Sequence, residues 1–183
     1  MKWIIVVTSL CFVVGCKSEK TEDKSFVLSE FSEVQPMNII EAENFSIPVY
    51  DFDGFEKLMN NNKDKTYVVN FWATWCKPCV NELPYFEQLY TEYKKEGVEV
   101  ILVSLDFPKK VNEILIPFLE EKKLNSNVVL LDDPKQNHWI PKVDKDWSGA
   151  IPATVIINEN KRSFYEKSFT FIELEDEVKD FIK

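Results

Sequence analysis

The chain has 183 residues, of which 45% are hydrophobic and 14% aromatic, so it can fill one sizeable core and is not globally disordered. Its net charge of −9, from 31 acidic residues against 22 Lys and Arg, leaves no basic face for nucleic acid, which is excluded as a partner. Only four glycines occur and no GxGxxG or GKS/T pattern is present, so a phosphate-binding loop is excluded as well.

The first residues read as a targeting segment rather than as part of a fold. A lysine at position 2 precedes an apolar run of about twelve residues, which is too short to span a bilayer. The run ends in a glycine followed by Cys16, and this ending resembles the bacterial lipobox, in which the cysteine is lipidated and becomes the mature N-terminus. We therefore expect a lipoprotein signal peptide over residues 1–15 and a lipidated Cys16 with a flexible tether over residues 16–43. An ordinary secretory signal with a chance cysteine is the alternative.

Residues 44–183 predict a single domain in which strands alternate with helices. Continuous apolar, β-rich runs are typical of strands buried on both faces, and apolar residues three and four apart are typical of helices. In chain order the predicted elements are a strand at 47–51, a helix at 54–61 with Asp53 near its N-cap, a strand at 67–72, a helix at 79–95 with Gly97 at its C-cap, a strand at 98–105, a helix at 111–123 containing Pro117, a strand at 128–131, a helical or irregular stretch at 138–143, a hairpin of 153–158 and 163–168, and a helix at 173–182. This order predicts a largely parallel sheet covered on both faces, with an antiparallel hairpin at one edge.

The four cysteines have different expected fates. Cys11 lies in the apolar run and is removed with it, and Cys16 carries the lipid, so Cys76 and Cys79 are the two thiols of the domain. The loop between these two is too short to stabilise a fold, which indicates a chemical role. A structural zinc site needs four ligands, and the sequence offers no second CxxC and one histidine, His138. We therefore expect neither a metal nor a cofactor.

The position of the CxxC predicts disulfide exchange. Cys76 falls at the N-terminus of a predicted helix, where unpaired N–H groups and the helix dipole favour a thiolate. The spacing lets Cys79 reach back to a mixed disulfide on Cys76 and release the substrate thiol. We predict Cys76 to be the exposed attacking thiol and Cys79 the buried resolving thiol. Lys77 adds a nearby cation and Pro78 stiffens the loop.

Residues 70–84, NFWATWCKPCVNELP, resemble the TlpA/ResA-like branch of the thioredoxin superfamily. The resemblance rests on a buried strand before the motif, a helix after it, and Trp72, Trp75, Cys76, Cys79, Glu82 and Pro84. It implies a thioredoxin-like α/β fold, with a central mixed sheet flanked by helices and an α/β unit inserted before the strand that follows a cis-proline. Ile151-Pro152 fits that cis-proline. The resemblance implies that Ile151, Pro152 and Trp75 contact the substrate near the CxxC.

The resemblance also places Glu82 beside the active site, where its carboxylate would exchange the proton of Cys79. The alternative is that Glu82 only complements the helix dipole. Thioredoxin itself carries a buried aspartate on the strand before the motif, and the matching position here is Asn70. Trp139 and Trp147 fit either a partner-recognition surface or the core, and both interpretations stay open.

Together these features imply a monomeric thiol–disulfide oxidoreductase of the cell envelope, lipid-anchored on the extracytoplasmic side and facing the periplasm in a Gram-negative cell. The expected partners are disulfide-containing exported proteins, for example in cytochrome c maturation, and a membrane thiol electron donor. The direction, reductase or oxidase, depends on potential and partner. The alternative is a lipid-anchored, peptide-binding adaptor or chaperone without redox turnover, which the intact CxxC argues against. The WCxxC form also argues against a peroxidase.

Overall fold

A computed structural model describes residues 34–60 and 64–182. The predicted signal peptide, Cys16 and the tether up to residue 33 lie outside the described residues. The described strands are β1 (Asn38–Glu41), β2 (Ser46–Tyr50), β3 (Thr66–Trp72), β4 (Val98–Ser104), β5 (Asn127–Leu131), β6 (Ala153–Ile157) and β7 (Arg162–Tyr165). The described α-helices are α1 (Phe52–Asn60), α2 (Lys77–Tyr93), α3 (Ile116–Lys122), α4 (Gln136–Val143) and α5 (Phe171–Lys179). None of these helices is long and apolar enough to cross a bilayer.

The strands form one mixed sheet in the order β1-β2-β5-β4-β3-β6-β7. The four strands β2, β5, β4 and β3 are mutually parallel, whereas β1, β6 and β7 pair in antiparallel fashion. The α3–β5 unit precedes α4 and β6, and β5 lies between β2 and β4 in the sheet. The predicted thioredoxin-like fold with an α/β unit inserted before the strand of Pro152 is confirmed.

Strand β1 was not predicted, and it corrects the boundary placed at residue 44. It pairs with β2 in a register that joins Asn38 to Val49 and Glu41 to Ser46. Its two end residues are exposed and its two central residues are only half-buried, as at a sheet edge. Four residues of this kind give no continuous apolar run, so the composition predicted a tether. The sheet therefore begins within residues 38–41.

Two helix starts also differ from the predictions. Helix α1 begins at Phe52, and Asp51 rather than Asp53 caps it, because Asp51 Oδ1 accepts the Gly54 N–H at 2.8 Å. The predicted helix over 111–123 is a π-helical turn at Val111–Leu115 that leads into α3. Pro117 lies in the first turn of α3, directly after the π turn, and it has no backbone N–H to donate to that turn.

The core lies on both faces of the sheet, and strand β3 contributes to both. All seven residues of β3 are buried, which explains its continuous apolar run. Because side chains alternate, Val68 and Trp72 pack under α2, α3 and α5, whereas Val69 and Phe71 pack under α1 and α4. Asn70 is the polar residue in the middle of β3 and shares the face of α2, whereas the other polar residue, Thr66, begins the strand. This alternation directs one polar side chain towards the helix that carries the cysteines.

Candidate redox site

Cys76 and Cys79 form a disulfide with an S–S distance of 2.03 Å at the start of α2. Cys76 is the N-cap residue, and its sulfur accepts the Cys79 backbone N–H at 3.3 Å. A sulfur in this position lies at the positive end of the helix dipole, which favours the thiolate after reduction. Pro78 occupies the first turn of α2, where its missing N–H is no loss.

The two cysteines differ in exposure, although less than the sequence predicted. Cys79 is fully buried, and Cys76 is 6% exposed, so Cys76 is the one nearer the surface but is not an open thiol. The carbonyl oxygen of Ile151 lies 3.7 Å from the Cys76 sulfur and covers it from the side of β6. The backbone of Ile151 is therefore the nearest part of the cis-proline loop for which a contact with the Cys76 sulfur is seen.

The turn between β3 and α2 is fixed by a carboxylate from the next strand. Asp106, which follows β4, accepts the Thr74 N–H at 3.1 Å and the Thr74 hydroxyl at 2.5 Å. The hydroxyl of Ser104 donates to the same carboxylate at 2.9 Å. The Cys76 N–H closes the turn by donating to the Ala73 carbonyl at 3.0 Å.

The loop before β6 faces the cysteines and contains a cis peptide at Ile151-Pro152, as predicted. Glu166, which follows β7, accepts the backbone N–H groups of Ser148 and Ala150, each at 3.1 Å, and the Ser148 hydroxyl. The bond from that hydroxyl is the main cause that lowers the pKa of Glu166 below its usual value of 4.5. The loop that carries the Ile151 carbonyl is therefore held by one carboxylate.

Glu82 lies one helical turn after Cys79, on the same buried face of α2. It is 2% exposed, so it does not act as a solvent-exposed partner of the helix dipole. Its carboxylate accepts the Phe169 N–H at 2.8 Å and the Asn70 side-chain amide at 3.1 Å. Burial raises the pKa of Glu82 from 4.5 to about 7, although both hydrogen bonds oppose that rise. Glu82 can therefore gain or lose a proton near neutral pH.

Asn70 links Glu82 to the strand that follows the cis-proline. It is fully buried, and its amide nitrogen donates both to Glu82 and to the Thr154 hydroxyl at 3.1 Å. Thr154 is the register partner of Asn70 across the β3–β6 pair. The side-chain oxygen of Asn70 has no hydrogen-bond partner among the described residues. An amide here is neutral, so Glu82 is the buried carboxylate beside Cys79.

The remaining predicted aromatic residues divide between the rim and the core. Trp75 is 59% exposed and flanks Cys76, and Lys77 and Pro78 are exposed beside it. Trp139 and Trp147 are buried, and their ring centroids lie 5.7 Å apart. Both are therefore core residues and do not form a recognition surface.

Trp72 is fully buried in the cluster that contains both cysteines, and its ring lies 5.4 Å from that of Phe118 in α3. His138 is exposed and lies in the first turn of α4. Across residues 34–60 and 64–182, no three His, Cys, Asp or Glu side chains lie close enough to hold a metal ion.

The site also contains five residues that were not predicted from the sequence: Thr74, Asp106, Thr154, Glu166 and Phe169. Their contacts to the site span between 16 and 87 residues of chain, which no local pattern reveals. One signal was available for Asp106. It follows directly the carboxyl end of a strand predicted to lie parallel to the strand before the CxxC, and such strand ends meet at one edge of a sheet.

Comparisons with known proteins agree with this fold. The model of the AhpC/TSA family matches residues 40–162. Thiol-disulfide oxidoreductase ResA of Geobacillus kaustophilus (strain HTA426) is 34% identical over 110 residues, which cover 60% of this chain and 58% of the relative. ResA of Bacillus cereus (strain ZK / E33L) is 37% identical over 106 residues, which cover 56% of this chain and 54% of the relative. The matches thus span little more than half the length of these relatives.

Solved structures show the same architecture. The crystal structure of StoA from Bacillus subtilis superposes with a TM-score of 0.52 at 24% identity, covering 78% of this chain and 94% of StoA. A thiol:disulfide interchange protein of the thioredoxin family from Chlorobium tepidum TLS superposes with a TM-score of 0.57 at 18% identity, covering 81% of this chain and 97% of that chain.

The fold and the site define a protein of the thioredoxin superfamily with a CxxC disulfide at the N-terminus of a central helix and a cis-proline loop facing it. More narrowly, the chain belongs to the AhpC/TSA family and to the TlpA/ResA-like branch of that superfamily.

Proposed function

We propose that this protein is a lipid-anchored thiol–disulfide oxidoreductase on the extracytoplasmic side of a bacterial membrane. It reduces disulfides of exported proteins, for example in cytochrome c maturation. The observation that carries the proposal is the Cys76–Cys79 pair: a sulfur at the helix N-cap beside the Ile151 carbonyl, with a fully buried partner next to Glu82. The names of the ResA relatives support the same chemistry.

The first step is attack by the reduced protein. The Cys76 thiolate, stabilised at the N-terminus of α2, attacks one sulfur of the substrate disulfide. A mixed disulfide forms between Cys76 and the substrate, and the other substrate sulfur leaves as a thiolate that takes up a proton. Lys77, next to Cys76 in the sequence, adds a positive charge on the rim where the negative sulfur develops.

The second step releases the substrate. Cys79 loses its proton to the Glu82 carboxylate and attacks the Cys76 sulfur, which restores the Cys76–Cys79 disulfide and frees the second substrate thiol. Two electrons have then passed from the protein to the substrate. Burial suits Glu82 to this step because a carboxyl group with a pKa of about 7 accepts and returns a proton readily at neutral pH.

The substrate segment binds across the rim of the site. Its extended backbone pairs with that of Ile151, and its side chains pack on Trp75, whose exposed ring offers apolar surface. Pro152 shapes the loop, and Pro78 keeps the CxxC turn stiff. A membrane thiol donor then returns two electrons to the protein, which the lipid on Cys16 keeps close to that donor.

Trapping variants test the chemistry. Reduced protein lacking residues 1–16 is mixed with a disulfide-bonded peptide, and the released peptide thiol is counted. The wild type should reduce the peptide, Cys76→Ser should be inactive, and Cys79→Ser should stop at a mixed disulfide with one peptide per protein. A wild type that does not turn over, or a Cys76→Ser variant that does, contradicts the proposal.

The direction and the anchor need separate measurements. Equilibration of the cysteine pair with thiol buffers should give a reduction potential of about −270 mV, as for a reductant. A potential of about −120 mV would indicate an oxidant. Cells supplied with labelled fatty acid should incorporate the label into the wild type but not into a Cys16→Ser variant. Label retained in that variant contradicts lipidation at Cys16.

A further inference from the structure

Asp106 is a buried carboxylate that no step above uses. It is 4% exposed and accepts hydrogen bonds from the Thr74 N–H, the Thr74 hydroxyl and the Ser104 hydroxyl. The Asp106 N–H in turn donates to the Ser104 oxygen at 3.1 Å, which fixes the carboxylate relative to β4. Among the described residues no Lys or Arg forms an ion pair with Asp106. The buried Asp106 carboxylate is therefore compensated by hydrogen bonds rather than by an ion pair.

The residue that Asp106 holds belongs to the turn that presents Cys76. Thr74 lies between the end of β3 at Trp72 and the N-cap of α2, and the Cys76-to-Ala73 hydrogen bond closes the turn around it. The Leu105 N–H donates to the Trp72 carbonyl at 2.8 Å, so β3 and β4 stay paired up to the point where the turn begins. Asp106 therefore connects a rigid strand end to the segment that places the Cys76 sulfur.

We infer that Asp106, through Thr74, is a positioning residue for the Cys76–Cys79 redox pair. The inference rests on the proposed function and deepens it. Asp106 touches neither sulfur; it restrains the turn at residues 73–76, so that the Cys76 sulfur stays over the start of α2 and opposite Ile151 in the reduced as well as in the oxidised protein.

The restraint has a consequence for the redox equilibrium. In the reaction with glutathione, the protein disulfide and two glutathione thiols give the protein dithiol and glutathione disulfide, so two electrons pass to the protein. Reduction removes the covalent link between the cysteines, so the hydrogen bonds of the turn and of the helix start must then hold Cys76 in place. If the anchor is lost, the reduced turn gains conformational freedom that the disulfide form does not, so the dithiol becomes more favoured. Loss of the negative charge acts in the same direction, because it favours the Cys76 thiolate.

The test is the glutathione equilibrium constant of the pair, measured on folded protein by trapping thiols. In Asp106→Asn an amide nitrogen replaces one of the oxygens that accept from Thr74, and in Thr74→Ala the hydroxyl donor is absent. Both variants should shift the equilibrium about fivefold towards the dithiol, as expected when one residue regains part of its backbone freedom. Thr74→Ser keeps the hydroxyl and should match the wild type.

Glu87→Gln is the matched control. Glu87 is also a carboxylate that anchors a loop, accepting the backbone N–H groups of Asn125 and Ser126, but it lies eight residues beyond Cys79 on α2, about 12 Å along the helix. It should leave the equilibrium constant unchanged. A purely structural role of Asp106 would lower the free energy of unfolding without moving this constant.

Equilibrium constants within twofold of the wild type in both Asp106→Asn and Thr74→Ala would overturn the inference, as would an equal shift in Thr74→Ser. If Asp106→Asn does not fold, the comparison of Thr74→Ala with Thr74→Ser decides alone. The measurement needs no turnover of a peptide substrate. Failure of the wild type to reduce peptides would therefore refute the proposed function and leave the result on Asp106 standing.

Discussion

Replacement of Glu82 by glutamine should remove the loss of stability that the wild type suffers between acid and neutral pH, while making the protein a slower catalyst. Glutamine has nearly the shape of a protonated glutamate and carries no charge. Its oxygen can still accept the Phe169 N–H, and its nitrogen can donate to the side-chain oxygen of Asn70 if that amide turns over. After that turn the Asn70 oxygen would accept from the glutamine and from the Thr154 hydroxyl, whereas the Asn70 nitrogen would lose both of its present acceptors. That cost does not depend on pH, so the effect of the Glu82 charge is read from the pH dependence alone.

The magnitude follows from the pKa of Glu82, which is about 7 in the folded protein against 4.5 for an exposed glutamate. Below pH 4.5 both the folded and the unfolded states hold the proton. Between pH 4.5 and 7 the unfolded state releases the proton and the folded state keeps it, so the free energy of unfolding falls as pH rises. Above pH 7 both states are ionised and the loss is complete. At 1.36 kcal/mol per pKa unit, the loss amounts to about 3 kcal/mol.

The assay is chemical denaturation of the oxidised wild type and of Glu82→Gln between pH 4 and 8. The disulfide keeps both cysteines from titrating, and the other titrating groups cancel in the difference between the two proteins. That difference should grow in favour of Glu82→Gln by about 3 kcal/mol from pH 4.5 to 8. In the same variant, reduction of a peptide disulfide should slow by about 100-fold at pH 7, the lower end of what a general base contributes.

A difference in the free energy of unfolding that does not change with pH would refute the reasoning, because it would mean that the pKa of Glu82 is the same in the folded and unfolded states. An unchanged rate of disulfide exchange would refute the catalytic part alone and would reduce Glu82 to a packing residue.

Two further changes test other parts of the structure. Trp139→Ala should lower the free energy of unfolding by about 3–5 kcal/mol, because Trp139 is 2% exposed and stacks on Phe52 and Phe71; denaturation would show this, and a loss under about 1 kcal/mol would argue for a surface role. Glu166→Gln weakens the hold on the loop before Ile151, so the KM for a peptide disulfide should rise several-fold while the glutathione equilibrium stays unchanged; an unchanged KM would mean that this loop does not bind the peptide.

The parts of the molecule that follow local patterns were predictable. The buried run of β3, the helix that begins at the CxxC and the proline before β6 each leave a signal within about ten residues of sequence. The π turn at Val111–Leu115 and the edge strand β1 leave none, because their residues are of mixed polarity and their pairing is decided by the neighbours.

The environment of the site was less predictable than its cysteines. The sequence pointed to Glu82, but its burial and its contact with Phe169 depend on a segment 87 residues away. Asp106 is similarly separated from Thr74 by 32 residues. The Ile151 carbonyl, which lies 3.7 Å from the Cys76 sulfur, is 75 residues away in the sequence. Residue types predict which chemical groups are present, whereas contacts between residues far apart in the sequence decide the burial and the pKa of those groups.

The loop between β7 and α5 makes two contacts with the site, through residues three positions apart. Glu166, at the start of this loop, accepts hydrogen bonds from the loop that faces Cys76. The Phe169 N–H, near its end, donates to the Glu82 carboxylate. Connecting loops usually tolerate insertions and deletions. Here one added or missing residue between Glu166 and Phe169 would force the chain to give up one contact in order to keep the other. The length of this short loop is therefore constrained like that of a core element.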